Sequence, residues 1–201
     1  MMPTATRKRT RRTVPEGLNR QEYDRLMAPA TVGDPRSGSY QRDRMLLELL
    51  AGTGLRINEA LSLNRDRVDL VDSSVWIPAA HSKTGRPRRV YFGESLSDKL
   101  AAYLAAMPRE QWALFVTRTG ARLTDAHVRR LFKKFARRAE IEPERLHPHS
   151  LRHTYAIRFL SMGGTLEALR DQLGHASTAT THIYTQAASW QRAEQVARLD
   201  L

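Results

Sequence analysis

The sequence predicts an α+β fold, mainly α-helical, with a small three-stranded antiparallel sheet. Apolar residues recur at helical spacing along much of the chain, as in Val128, Leu131, Phe132, Phe135 and Ala139. Three short β-type runs follow one another at 68–71, 75–77 and 89–92, the last two flanking a polar hairpin loop. Of 201 residues, 41% are hydrophobic, enough for a packed core in one large domain or two small ones.

Taken in order, residues 1–13 carry Arg7, Lys8, Arg9, Arg11 and Arg12 and no acid. A flexible basic arm or linker remnant is expected over 1–17, able to lie along phosphates. The folded domain is expected from 18 to 201. It opens with a helix that has Asn19 as N-cap and Glu22 three residues on, a capping box ahead of Tyr23, Leu26 and Met27. A polar loop with Gly33, Pro35 and Gly38 leads to an apolar helix at 45–51, and Gly52-Thr53-Gly54 turns the chain into another at 55–63. Arg56 falls in the first turn of that helix, where the dipole disfavours a cation. Something anionic nearby would compensate, and Glu59 is spaced to orient the guanidinium; a plain surface ion pair is the alternative.

The loop 81–87 between the second and third strands places Lys83 at its tip. It is either a solvated loop lysine or a flexible ammonium that reaches into a site from outside. An amphipathic helix at 96–107, a brief buried run at 112–116 and a helix from Thr124 or Asp125 to about residue 139 follow. The polar face of that last helix carries Arg129, Arg130, Lys133, Lys134, Arg137 and Arg138 with no acid among them. Like charges along one face repel one another unless an anion is bound, so a DNA backbone contact is expected through Arg129, Arg130, Lys133, Lys134 and Arg137. Residues 188–199 carry a short helical pattern.

Composition narrows the partners. Lys and Arg number 33 against 21 Asp and Glu, a net charge of +12, and nucleic acid is the natural counterpart. There is no cysteine for a disulfide or a thiolate metal site. Apolar runs are far shorter than the roughly 20 residues of a membrane span. The N-terminus lacks a secretory signal, so a cytoplasmic protein is expected.

The most informative stretch is 147–184, HPHSLRHTYAIRFLSMGGTLEALRDQLGHASTATTHIY. His149 and Arg152 lie three apart on a predicted helix and emerge on one face, a guanidinium beside an imidazole that suits a phosphate oxygen. His175 follows Gly174 at the end of the next helical pattern, and Tyr184 comes nine residues later.

This pattern, H-S-L-R-H-T-Y-A, then L-G-H, then tyrosine, resembles the tyrosine recombinase (phage integrase) family, catalytic domain. G-L-R-I-N-E-A-L-S-L at 54–63 and S-K-T-G at 82–85 extend the resemblance upstream. It implies a catalytic set of Arg56, Lys83, His149, Arg152, His175 and Tyr184 acting on double-stranded DNA. Tyr184 would be the nucleophile, giving a covalent 3′-phosphotyrosyl intermediate. Arg56, Arg152 and His175 would stabilise the transition state, Lys83 would protonate the leaving 5′ oxygen, and His149 would assist proton transfer or position the phosphate. Bond energy stays in the phosphotyrosine link, so neither metal nor another cofactor is implied. A homotetramer on DNA is implied, and the segment after the tyrosine packs into a neighbour in several members.

Members also carry an additional helical domain of about 100 residues that closes a clamp round the duplex. Only 17 residues precede Leu18, so either an excised catalytic domain or a minimal recombinase is expected, with weak, salt-sensitive DNA binding and poor recombination by this chain alone. Three rivals remain. A zinc hydrolase draws on His149 and His153 four apart, but lacks the H-E-x-x-H glutamate and sets Arg152 between the histidines. A non-catalytic DNA-binding module explains the charge but not Tyr184, and a type IB topoisomerase shares the tyrosine chemistry.

Overall fold

The computed structural model describes residues 17–175 and Tyr184. The basic arm at 1–13 and the helical pattern at 188–199 lie outside the described residues. Helix α1 (Arg20–Met27) is capped as expected: the Asn19 side chain accepts from the Glu22 amide, and Glu22 accepts from the Asn19 amide, both at 2.9 Å. A four-residue helix α2 (Pro29–Val32) then starts with proline at its first position, where no amide donor is required.

Helix α3 (Tyr40–Thr53) begins five residues earlier than its apolar run, because its first turn is polar and its hydrophobic stretch is only the buried centre. Met45, Leu46, Leu47, Leu49 and Leu50 are all buried, and α3 packs against α4 (Ile57–Ser62), α5 (Glu94–Ala106) and α7 (Pro148–Ser161). Gly52 stays inside the helix, and Gly54 makes the break with φ +66°. A Cβ on Gly54 would sit 2.6 Å from Tyr155 Cδ1 and 2.8 Å from Leu173 Cδ2, so both the backbone and the space demand glycine there.

The sheet has order β1-β2-β3 with antiparallel neighbours: β1 (Val68–Asp69), β2 (Ser74–Ile77) and β3 (Arg88–Tyr91). Val75 faces Val90 across the ladder, and Ile77 faces Arg88. One face, Val75, Ile77 and Val90, is fully buried, while Trp76 and Tyr91 on the other are exposed. The first strand is shorter than its β-type run. Asp69 Oδ1 accepts from the amides of Val71 and Asp72, each at 3.0 Å, and bends Leu70 and Val71 into a turn. In the run at 112–116, Leu114 and Phe115 are buried, but Trp112 is exposed.

Helix α6 (Asp125–Arg138) packs on α1 and α2, and α8 (Leu166–Leu173) packs on α7 and β3. Gln172 of α8 pairs with the backbone of Tyr91, its amide donating to the carbonyl at 2.6 Å and its oxygen accepting from the amide at 3.0 Å. The far edge of β3 is thereby covered by a side chain that mimics another strand. No described helix is long and apolar enough to cross a membrane.

Candidate active site

The site forms where the C-terminal ends of α3 and α8 meet the first turn of α7 and the start of α4. His147 caps α7: its Nδ1 accepts from the Ser150 amide at 3.1 Å, and the Ser150 hydroxyl accepts from the His147 amide at 3.1 Å. Pro148 occupies the first helical position, so the helix starts three residues ahead of its apolar pattern. That start puts His149 and Arg152 in its opening turns.

Arg152 is only 3% exposed. Its guanidinium donates to the carbonyls of Gly54 and Leu173, both at 2.7 Å. These oxygens lie at the C-terminal ends of α3 and α8, whose dipoles favour a cation. Burial, then Arg56, still brings its pKa down to about 10, with Glu59 and Tyr184 opposing. It remains charged at neutral pH.

Arg56 is not inside α4 but is its N-cap, with extended backbone, because Leu55 and Arg56 are still turning away from Gly54. Its guanidinium donates to Glu59 at 3.0 Å and reaches the carbonyls of Leu173 and Gly174, each at 3.4 Å. Arg56 and Arg152 therefore converge on one oxygen, that of Leu173. Glu59, 1% exposed, also accepts from the Arg56 amide at 2.9 Å. Both of its oxygens take bonds from Arg88 at 3.0 and 2.9 Å. Burial raises the pKa of this carboxyl, but Arg88 and Arg56 outweigh it and hold it below its ordinary value. Two guanidiniums thus share a single buried carboxylate, and with Arg152 beside them an excess of positive charge faces the space beside Leu173.

Gly174 ends α8 with φ +63°, and its missing Cβ makes room for the Arg88 guanidinium, which would lie 2.8 Å from it. His175 consequently lies past the helix cap and not in its last turn. Burial, then Arg152, Arg56 and Arg88, brings its pKa down to about 4. Its ring stacks on that of Tyr184, centroids 6.5 Å apart and planes within 17°.

Tyr184 is 2% exposed and packs among Ala156, Ile157, Leu160, Leu169 and Leu173 of α7 and α8. Its hydroxyl lies 2.7 Å from His153 Nδ1. Burial raises the phenol's pKa, while Arg152 and Arg56 pull it the other way. Tyr184 is thus a buried residue whose hydroxyl meets an imidazole.

His149 is exposed, 6.4 Å ring to ring from His147. Burial, then His147, Arg152, Arg56 and Lys83, lowers its pKa. Lys83 is exposed in the 82–87 loop, and its charge adds to the lowering of the His149 pKa. Arg56, Arg152, His175 and Tyr184 address one region.

Two members of this constellation were not singled out. Arg88 reads as an ordinary polar strand residue, although standing opposite the buried Ile77 is a signal that it points inward. His153 reads as a neighbour of Arg152 or a zinc ligand. Among the described residues, no group of three or more His, Cys, Asp or Glu is placed to hold a metal.

The profile of the phage integrase family matches residues 16–190. The chain belongs to this family. Among phage integrase family relatives, it is 33% identical over 181 residues to the tyrosine recombinase XerC of Yersinia pestis, covering 88% of this chain and 57% of that protein. It is 34% identical over 184 residues to the tyrosine recombinase XerD of Bifidobacterium longum, covering 86% of this chain and 58% of that protein. The chain spans little more than half the length of these relatives. The crystal structure of XerA recombinase superposes with a TM-score of 0.74 at 29% identity, covering 94% of this chain and 66% of that one. XerH recombinase bound to its palindromic difH substrate, in a post-cleavage complex, gives 0.75 at 26% identity, over 92% of this chain and 53% of that one.

The fold is that of a tyrosine recombinase catalytic domain, mainly helical with the three-stranded sheet. The catalytic domain of bacteriophage HP1 integrase shares it with a TM-score of 0.62 at 23% identity, over 92% of this chain and 94% of that one.

The basic face of α6 differs from its expected form. Arg129 is ion-paired to Asp125 one turn back, an acid that lies outside the six-cation run and so was not counted with it. Arg138 donates to the Val32 carbonyl at 2.9 Å, and Lys134 leans over Gly33. Arg130, Lys133 and Arg137 are exposed and, among the described residues, have no ion-pair partner.

Proposed function

We propose that this chain is the catalytic domain of a site-specific DNA recombinase that cuts and rejoins double-stranded DNA through a 3′-phosphotyrosyl intermediate. The single observation that carries the reading is the meeting of Arg56 and Arg152 at the Leu173 carbonyl, with the Tyr184 hydroxyl within their field. A scissile phosphate entering here replaces the 3.4 Å carbonyl contacts of Arg56, and both guanidiniums bear on its non-bridging oxygens. His175 adds a hydrogen bond to the same group. Tyr184 attacks the phosphorus, and the P–O5′ bond breaks.

Lys83 gives a proton to the departing 5′ oxygen, its loop closing over the site from the sheet, while His149 positions the phosphate. XerH, in the complex named above, carries a palindromic difH substrate after cleavage, which supports duplex DNA as the partner. Arg130, Lys133 and Arg137, with Arg129 and Lys134 beside them, supply backbone contacts. Residues 1–17 extend these as a basic arm ahead of the domain at 18–201. Recombination of two duplexes cuts four strands, each needing its own tyrosine, so the working assembly is a homotetramer on DNA, acting in the cytoplasm.

The experiment is incubation with a nicked duplex that loses its 5′-hydroxyl fragment after cleavage, its sequence obtained by covalent retention from a randomised pool. On denaturing gels the protein is expected to give a shifted DNA-linked band that Tyr184→Phe lacks. Absence of the band, or its persistence in the Phe variant, overturns the reading.

A further inference from the structure

The Tyr184 hydroxyl points at His153. Oη and Nδ1 are 2.7 Å apart, and the ring centroids are 5.5 Å apart at an interplanar angle of 45°. The phenolic proton must go somewhere as Oη bonds to phosphorus. Arg56 and Arg152 are donors only, and a Lys83 ammonium has nothing to accept with. His149 lies in the first turn of α7, exposed to solvent, whereas His153 stands one turn deeper and already holds the hydroxyl. We propose that His153 is the proton acceptor for the Tyr184 nucleophile. The proposal rests on the phosphoryl-transfer reading and assigns it a further catalytic residue.

The step balances as follows. As the Oη–P bond forms, the P–O5′ bond breaks; the phenolic proton passes to His153 Nδ1, and Lys83 protonates the 5′ oxygen. In rejoining, a 5′-hydroxyl attacks the phosphorus, its proton returns to Lys83, and the His153 imidazolium gives its proton back to the leaving phenolate. Accepting at Nδ1 requires the tautomer with its hydrogen on Nε2.

The surroundings make the base depend on substrate. Burial, then the charges of His149, His147 and Arg152, brings the His153 pKa down to about 4, so without DNA it is neutral and only a hydrogen-bond acceptor. Tyr184 itself and the stacked His175 are the other titratable groups facing it. A phosphodiester against Arg152 offsets those cations and raises the imidazole's basicity when a nucleophile is needed. A phenol that ionises only beside bound DNA is protected from idle reaction.

The test uses single-turnover adduct formation on the nicked duplex with His153→Phe, which keeps ring volume but cannot accept a proton. His153→Gln keeps an acceptor oxygen without basicity, and His153→Ala leaves a cavity. Phe and Gln are expected to slow adduct formation about 100-fold, with DNA affinity and folding unchanged. Added imidazole is expected to restore the Ala variant, increasingly as pH brings more of it to the neutral form. Rates within about threefold of wild type in both Phe and Gln, or an Ala variant that folds and binds DNA but gains nothing from imidazole, overturn the assignment. These outcomes are distinct from failure of the underlying reading, in which the unaltered chain itself forms no adduct.

Discussion

Arg88 binds Glu59 through both terminal nitrogens and both oxygens, at 3.0 and 2.9 Å, from the first position of β3. Glu59 must hold Arg56 in place without neutralising it, and a second guanidinium from β3 takes most of the carboxylate's charge. The Arg56 guanidinium then keeps only a single bond to Glu59 and two long ones to carbonyls, which phosphate can replace.

Removing Arg88 leaves a buried carboxylate with one cation to share. Arg88→Met is expected to lower unfolding free energy by about 3 kcal/mol in urea titration. It is also expected to weaken phosphate capture as Arg56 is drawn more closely onto Glu59. A midpoint unchanged from the parent protein would show that Glu59 is held elsewhere.

The pH dependence of stability follows from two half-buried imidazoles. His153 and His175 ordinarily titrate near 6.5 but are held to about 4 when folded, burial being the main cause. Between those values the unfolded chain binds more protons than the folded one, so stability falls as pH drops from about 6.5 towards 4. Glu59 acts in the same direction at lower pH: its folded pKa is depressed, and its contribution is lost as pH falls through that value. Thermal melts at a series of pH values are expected to show this decline, shallower in His153→Phe. A melting temperature flat from pH 7 to 4.5 would contradict it.

How much of this was legible in the sequence depended on the range of the interaction. The Asn19 to Glu22 capping box and the α6 apolar face are local patterns, and the structure has them where periodicity and cap chemistry put them. Arg56, Arg152 and Tyr184 could be picked out through the family resemblance, and they do address one region. What spacing does not encode is the carbonyl cradle: Gly54 and Leu173 present oxygens to Arg152 only once α3 and α8 have packed on α7. Arg88 and His153 were hidden for the same reason, since their partners are 29 and 31 residues away in sequence. The α6 charges were overcounted because a row of like residues says nothing of an acid one turn earlier, at Asp125.

Gln172 ties the site to the sheet. Its two bonds to Tyr91, with the bond from Arg88 to its carbonyl, link α8, which carries the Leu173 carbonyl, to the strand that follows the Lys83 loop. Gln172→Leu keeps the volume but leaves the Tyr91 amide and carbonyl unpaired, and is expected to cost about 2 kcal/mol. Hydrogen exchange at the Tyr91 amide should accelerate, and adduct formation should slow with little change in DNA affinity. Unaltered exchange at that amide would mean that β3 needs no such cover.

The stripe formed by Arg130, Lys133 and Arg137 runs along one face of α6 at helical spacing, exposed and without ion-pair partners among the described residues. If each touches a backbone phosphate, replacing all three by alanine removes three released counterions. The slope of log affinity against log salt should then fall by about 3, since each phosphate contact contributes about 0.9. Arg129→Ala should change it less, because that guanidinium is already satisfied by Asp125, whose charge would have to be displaced before DNA could use it. Fluorescence anisotropy with a labelled duplex over a salt series reads both effects. Equal slopes for the triple variant and the parent protein would place the backbone contacts on another surface.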